Sequence, residues 1–167
     1  MSYLEHKKEA PKSVSCAVLT FSDSRTEQND ESGKLLCQKL NEDGHRVIDY
    51  AVLKDDSEAI GRKIGELLRQ DELQVIITNG GTGVSHRDVA VETVSSILEK
   101  KLDGFGELFR SLSYQEIGSA SIMSRAIAGV AGGKVIICLP GSLGAAKLAI
   151  EKIILPEIGH MVREVSR

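Results

Sequence analysis

The chain has few basic residues to spare, few cysteines and no long apolar run, and each shortage closes off a class of function. Lys and Arg number 21 against 24 Asp and Glu, a formal charge of −3, whereas general nucleic-acid affinity needs a cationic surplus to displace phosphate counterions. RNA and DNA are therefore excluded as expected partners. Cys16, Cys37 and Cys138 are an odd number, widely spaced, with no CxxC and no nearby His pairing, so neither a disulfide framework nor a zinc site is suggested and a reducing cytoplasm is expected. No apolar run follows Met1 and residues 2–12 are polar and charged, so no signal peptide or membrane span is expected. Residues 1–12 read as a flexible arm or interface extension. No linker, repeat or low-complexity segment divides residues 13–167, which read as a single domain.

What is present alternates in type. Val14 to Phe21 is a short apolar, β-branched run of the kind buried on both faces. Asp30-Glu31-Ser32 then opens a helix carrying Leu35, Leu36 and Leu40 and closed by Gly44. His45 to Leu53 reads as a second strand, and Asp55 and Glu58 stand at capping-box spacing before Ile60, Ile64, Leu67 and Leu68. Leu73 to Thr78 is a third strand, and Val89 to Lys101 a helix with Val91, Val94, Ile97 and Leu98 inward. Residues 104–133 look helical and rich in small residues, without a clear strand. Lys134 to Leu139 restores a strand, and Pro140-Gly141-Ser142 leads into a long helix expected to bend near Pro156. The alternation predicts an α/β fold of three layers, a largely parallel, Rossmann-like sheet covered by helices on both sides.

In such sheets ligands collect at the carboxyl ends of the strands, and every polar motif here follows a strand. Chief among them is Gly80-Gly81-Thr82-Gly83 with His86, Arg87 and Asp88. Three glycines in four positions permit positive φ and close backbone approach, and a helix start beyond them attracts an anion. A carboxylate beside bound phosphate is repulsive unless a divalent cation bridges them or the carboxylate handles a proton, so Asp88 hints at Mg²⁺ or catalysis. Each feature also has a plainer reading: Asp55 as a helix cap, Asp88 as a partner of the helix dipole, Asp23 with Arg25 as a surface pair, Gly141-Ser142 as a turn and cap, Cys138 as core. The loop lacks the Gly-Lys-Ser/Thr ending of a P-loop and breaks the dinucleotide fingerprint at His86.

Taken together, Ser22-Asp23-Ser24-Arg25, Asp30-x-Ser32-Gly33, Lys54-Asp55-Asp56, Thr78 to Gly83 with Arg87-Asp88, Ser119 to Gly129 and Leu139-Pro140-Gly141-Ser142 resemble the molybdenum cofactor biosynthesis proteins of the MoaB/MogA type. The stretch from Gly104 through Arg125 is most similar to the MoaB branch. The resemblance implies a molybdopterin-binding fold that transfers AMP from Mg-ATP to the terminal phosphate of molybdopterin and releases pyrophosphate. It implies catalytic and Mg²⁺-orienting roles for Asp55 and Asp88, nucleotide phosphates on Gly80, Gly81, Thr82, Gly83, Gly141 and Ser142, and pterin against Ser22, Asp23 and Arg25. It also implies a homotrimer or, preferred here for the arm and the MoaB-like middle, a hexamer, with a molybdate-inserting MoeA-like protein as a further partner. Lys54 stands where the family often has Pro, and Asn79 where it often has Thr. The branch that the chain resembles includes members without the acidic residues; this chain retains both, which favours activity over the alternative of a silent molybdopterin carrier. A third reading takes the small residues of 118–133 as an assembly surface.

Overall fold

Alternate residues of the central strands face opposite ways, and both faces are apolar. The structure, a computed structural model describing residues 2–167, has strands β1 (Ser15–Phe21), β2 (Arg46–Leu53), β3 (Val75–Asn79), β4 (Lys100–Lys101), β5 (Ile127–Ala131) and β6 (Lys134–Leu139) in one sheet of order β2-β1-β3-β6-β5-β4. Cys16 and Val18 of β1, Val75 and Ile77 of β3 and Val135 and Ile137 of β6 point into one core, while Ala17 and Leu19, Ile76, and Ile136 and Cys138 point into the other. This period of two, apolar on both sides, is what a central strand under two helical layers requires.

Helices α2 (Glu31–Glu42), α5 (Asp103–Ile117), α6 (Leu143–Ala149) and α7 (Leu155–Val165) cover the first face, and α3 (Ser57–Leu68) and α4 (Ala90–Ile97) the second. Strands β2, β1, β3 and β6 are mutually parallel, whereas β5 and β4 run antiparallel on the far edge. The chain leaves β1 for β2 on one side and returns to β3 on the other, so the crevice at the carboxyl ends of β1 and β3 is the topological switch point.

Four expectations need correction. Residues 127–131, read as part of a helical region, form β5, joined to β6 by Gly132-Gly133 with φ of 55° and 72°; two consecutive left-handed residues make the tight turn that suits a hairpin. The helix expected to reach Lys101 stops at Ile97, and Lys100–Lys101 pairs with β5 as an edge strand. The irregularity expected at Pro156 lies one turn earlier, where Ile150–Ile154 winds as a π-helix and the Leu155 N–H reaches back to the Ile150 carbonyl, ahead of a proline that has no N–H to continue the ladder.

Lastly, the expected flexible arm contains helix α1 (Tyr3–Lys8), started by a capping box between Ser2 and Glu5. It lies on α7 through ion pairs of Lys7 with Glu157 and Glu9 with Arg163, and Pro11 packs so closely on Gly159 that a Cβ there would come within 2.6 Å of its carbonyl. No residue of α1 is buried, and exposed ion pairs contribute roughly 0–1 kcal/mol each, so α1 is weakly held.

Candidate functional site

The glycine loop is shaped by where β3 ends. Gly80 is buried, donates its N–H to the Leu139 carbonyl at 3.0 Å, and has φ of 95°; a Cβ there would sit 2.2 Å from the Phe21 carbonyl oxygen. The turn thus threads between the ends of β1 and β6. Gly81, φ 68°, follows, and its carbonyl accepts the Ala90 N–H at 3.0 Å, tying the loop to the start of α4. Val89 at the N-cap of α4 supplies no side-chain cap. Gly141 lies so near Gly80 that a Cβ would approach its Cα to 3.0 Å. The loops after β3 and β6 are therefore in backbone contact.

Asp55 does not cap its helix. Asp56 does, accepting the Ala59 N–H at 2.8 Å, which leaves the Asp55 side chain to turn toward the glycine loop. Its Oδ1 is buried without a hydrogen-bond partner and lies where a Cβ on Gly81 would be 2.6 Å away. Burial, then the charges of Asp23 and Asp88, push the Asp55 carboxyl above the usual aspartate range. A buried, unpaired carboxylate oxygen is costly unless something cationic meets it.

Asp88 is in the opposite condition. Its Oδ2 accepts the Ser85 hydroxyl at 2.6 Å and the Ser85 N–H at 3.0 Å; the hydroxyl bond foremost, with backbone N–H groups and Arg125, holds its carboxyl below the usual range. It backs onto Gly83 as Asp55 backs onto Gly81, since a Cβ on Gly83 would lie 2.5 Å from Oδ2. Two carboxylates thus flank one glycine loop, one satisfied and one not.

Asp23 pairs with Arg87, not with Arg25 as a surface pair would require, and also accepts the Asp55 N–H at 3.2 Å. The Arg87 bond holds Asp23 below its ordinary pKa. Arg25 turns the other way: its Nη1 donates to the Gly141 carbonyl at 3.0 Å, lies 3.8 Å from Asp30, and shares that carbonyl with the Ser32 hydroxyl at 2.9 Å. Ser22 accepts the N–H groups of Ser24 and Arg25, so it shapes its own loop, and Ser142 caps α6 through the Ala145 N–H at 3.1 Å. Thr82 is buried. His86 is exposed.

Several supporting residues carried no assigned role in the sequence reading. Fully buried Asp30 accepts from Thr20 and Tyr50 at 2.6 Å each and from the Gly33 N–H at 3.1 Å. Asn79 extends this network, donating to Thr20 at 2.8 Å and keeping a buried Oδ1 without a partner. Arg125 donates to the carbonyls of Thr82, at 2.9 Å, and Gly83, and pairs with Glu92. Asp30, Asn79, Arg87 and Arg125 all stand inside the motifs quoted above. Apart from Gly33, their partners lie far along the chain, in other motifs (Asp23, Thr82, Gly83) or outside them (Thr20, Tyr50, Glu92), so spacing alone hid their roles.

The three thiols take no part: burial raises Cys138, Cys37 and Cys16, the first two to about 11 and the last to about 12, far from the thiolate form that reacts. Among the described residues no helix is long and apolar enough to cross a membrane.

The profile of a family described as a probable molybdopterin binding domain matches residues 17–160. The molybdenum cofactor biosynthesis protein B of Bacillus cereus is 50% identical over 168 aligned residues, covering 100% of this chain and 99% of that one, and that of Bacillus subtilis is 47% identical over the same shares. A crystal structure of a molybdenum cofactor biosynthesis protein B superposes with a TM-score of 0.90 at 49% identity, covering 94% of this chain and 98% of the other. The tungsten cofactor synthesizing protein MoaB of Pyrococcus furiosus gives a TM-score of 0.86 at 34% identity over 95% and 100% of the two chains. With its glycine loop between two aspartates at the switch point of the sheet, the chain belongs to the molybdopterin-binding domain family, in the branch of molybdenum cofactor biosynthesis protein B.

Proposed function

We propose that the protein transfers AMP from Mg-ATP to the terminal phosphate of molybdopterin. The observation that carries this reading is the buried Oδ1 of Asp55, unpartnered and pressed against the glycine loop with Asp88 on the far side of Gly83. A hard divalent cation takes carboxylate oxygens, so this donor pair fits Mg²⁺. The ion arriving with ATP would supply positive charge between phosphate and carboxylate oxygens.

In the proposed reaction an oxygen of the pterin phosphate attacks the α-phosphorus of ATP, the bond from that phosphorus to the bridging oxygen breaks, and pyrophosphate leaves. A phosphate nucleophile is already ionised, so no strong general base is needed and positioning dominates. Gly80 to Gly83 hold phosphate, with Arg125 fixing the loop through its carbonyls. Asp88, braced by Ser85, orients the phosphates, and Asp55 completes the charged side. The Arg25–Gly141–Ser32 contacts set the turn after β6, where Ser142 and Gly141 meet nucleotide. Ser22, Asp23 and Arg25 border the pterin.

Assembly into a homo-oligomer, a hexamer of two trimers, belongs to this reading. Tyr114, Ile117, Ile122 and Met123 are 62%, 56%, 79% and 52% exposed on α5 and the 3₁₀ turn beyond it, an apolar surface of the kind that subunit contact covers. Thiol cysteines fit a cytoplasmic location, and hand-over to a molybdate-inserting protein would complete the sequence.

The test is pyrophosphate release from Mg-ATP with and without molybdopterin, following the adenylylated pterin. Pterin-dependent formation of both products, lost in Asp55→Ala and Asp88→Ala, supports transfer; tight pterin binding without turnover would establish a carrier instead.

A further inference from the structure

Side chains from the two ends of the chain meet where α1 lies on α7, away from the glycine loop. Nδ1 of His6 is 2.9 Å from Oε1 of Glu164. The His6 and His160 rings meet edge to face with centroids 6.0 Å apart. One ligand atom from each of His6, His160 and Glu164 lies within 4.8 Å of the other two. His160 and Glu164 are four apart on α7 and share a face, while His6 comes from the other terminus, so no local spacing announces the group.

We propose that His6, His160 and Glu164 bind a divalent ion of the Zn²⁺ type, which ties the N-terminal helix to the C-terminal one. Two imidazole nitrogens and one carboxylate are a known three-ligand donor set for zinc. Tetrahedral bonds of about 2.0–2.2 Å place ligand atoms roughly 3.3–3.6 Å apart, so side-chain rotations that shorten the present separations of up to 4.8 Å would close the site. Nδ1 of His160 is 3.0 Å from Oε2 of Glu157, leaving Nε2 for the ion in the carboxylate–histidine–metal arrangement that orients zinc ligands. Oε1 of Glu164 also meets Arg163 at 2.8 Å and Oε2 meets Arg167 at 3.0 Å, so the ion would share or displace these ion pairs. His160 and Glu164 also line a cavity of about 600 Å³ beside Lys100, Lys101 and Arg167, which gives the ion an entry and room for a water as fourth ligand.

Metal-free full-length protein would be titrated with Zn²⁺ against a chromophoric chelator in excess Mg²⁺, and with Co²⁺ for its absorption spectrum. One equivalent per chain should bind, the melting temperature should rise, and the Co²⁺ spectrum should show no thiolate charge-transfer band. His6→Ala and His160→Ala should each weaken binding by more than the roughly 10-fold expected of Glu157→Gln, which removes the carboxylate that orients His160 together with its ion pair to Lys7 but no proposed ligand. His6→Ala leaves the Lys7 and Glu9 ion pairs in place, and circular dichroism with the Glu164→Gln variant would confirm that loss of binding is not loss of fold. No binding beyond the Mg²⁺ background, unchanged affinity in both histidine variants, or a thiolate band would each overturn the proposal.

Discussion

Asp55 and Asp88 carry the same formal charge on either side of one loop, and their surroundings drive them in opposite directions. Because the folded Asp55 carboxyl titrates above its unfolded value, the native state binds more protons than the unfolded one between those two pKa values. Asp55 therefore opposes folding above that window, and the penalty is relieved as pH falls through it. Asp88 and Asp23 are depressed and act oppositely: their stabilisation is present above the unfolded aspartate pKa and is lost as pH falls through their folded values. Asp55→Asn is thus expected to raise the melting temperature at neutral pH, with the gain shrinking on acidification, while the proposed adenylyl transfer falls on the order of 100-fold. Thermal melts from neutral to acid pH beside single-turnover rates would check both; a lower melting temperature at neutral pH would refute the assignment. Asp30 should behave unlike either. Asp30→Ala strands the Thr20 and Tyr50 hydroxyls and the Gly33 N–H, and with about 1–3 kcal/mol for each unsatisfied buried group a loss of about 3 kcal/mol or more is expected in urea unfolding. Asp55 read locally as a helix cap and entered the site only through the family resemblance; Asp30 did not enter it at all, because its partners arrive from β1, β2 and the start of α2.

Among the elements, the loop after β3 was the most legible and the edge beyond β6 the least. Apolar runs on both faces, rich in Val and Ile in β3 and β6, announced β1, β3 and β6, and glycines in a cluster announced the turn at the switch point. Strand β5 is Ile-Ala-Gly-Val-Ala, where two alanines and a glycine of weak strand preference dilute the Ile and Val, and its place depends on close contact: a Cβ on Gly129 would lie 2.3 Å from the Lys100 carbonyl oxygen. The signal that was available is Gly132-Gly133, a hairpin turn pair ahead of an apolar run. Likewise Asp55 and Asp56 compete for one cap in sequence, and only the folded turn assigns it to Asp56. The glycine loop yields a test of its own. Gly81→Ala puts a methyl group on a left-handed residue and into the Asp55 carboxylate, so adenylyl transfer should fail with a largely intact circular dichroism spectrum. Full activity in that variant would separate Asp55 from the loop's chemistry.

At the scale of the molecule, the apolar surface of α5 and the adjoining turn sits beside a cavity of about 260 Å³ that Ser142 helps to line. Subunit association there would lie against the site, so Ile122→Glu is expected to shift the protein to smaller assemblies in light scattering and to reduce turnover with them. An unchanged mass would move the subunit contact elsewhere. The layer order was plain from the alternation of strands and helices; the docking of the first helix was not, since it rests on contacts between opposite ends of the chain. That docking has a consequence for connectivity. Ends held together by Glu9 with Arg163 and His6 with Glu164 can be joined by a short glycine-serine linker at little cost in loop entropy. A circular permutant reopened between exposed Asp71 and Glu72 should then reach the same fold by a new order of synthesis, β3 first and β2 late, with its glycine loop near the new start of the chain.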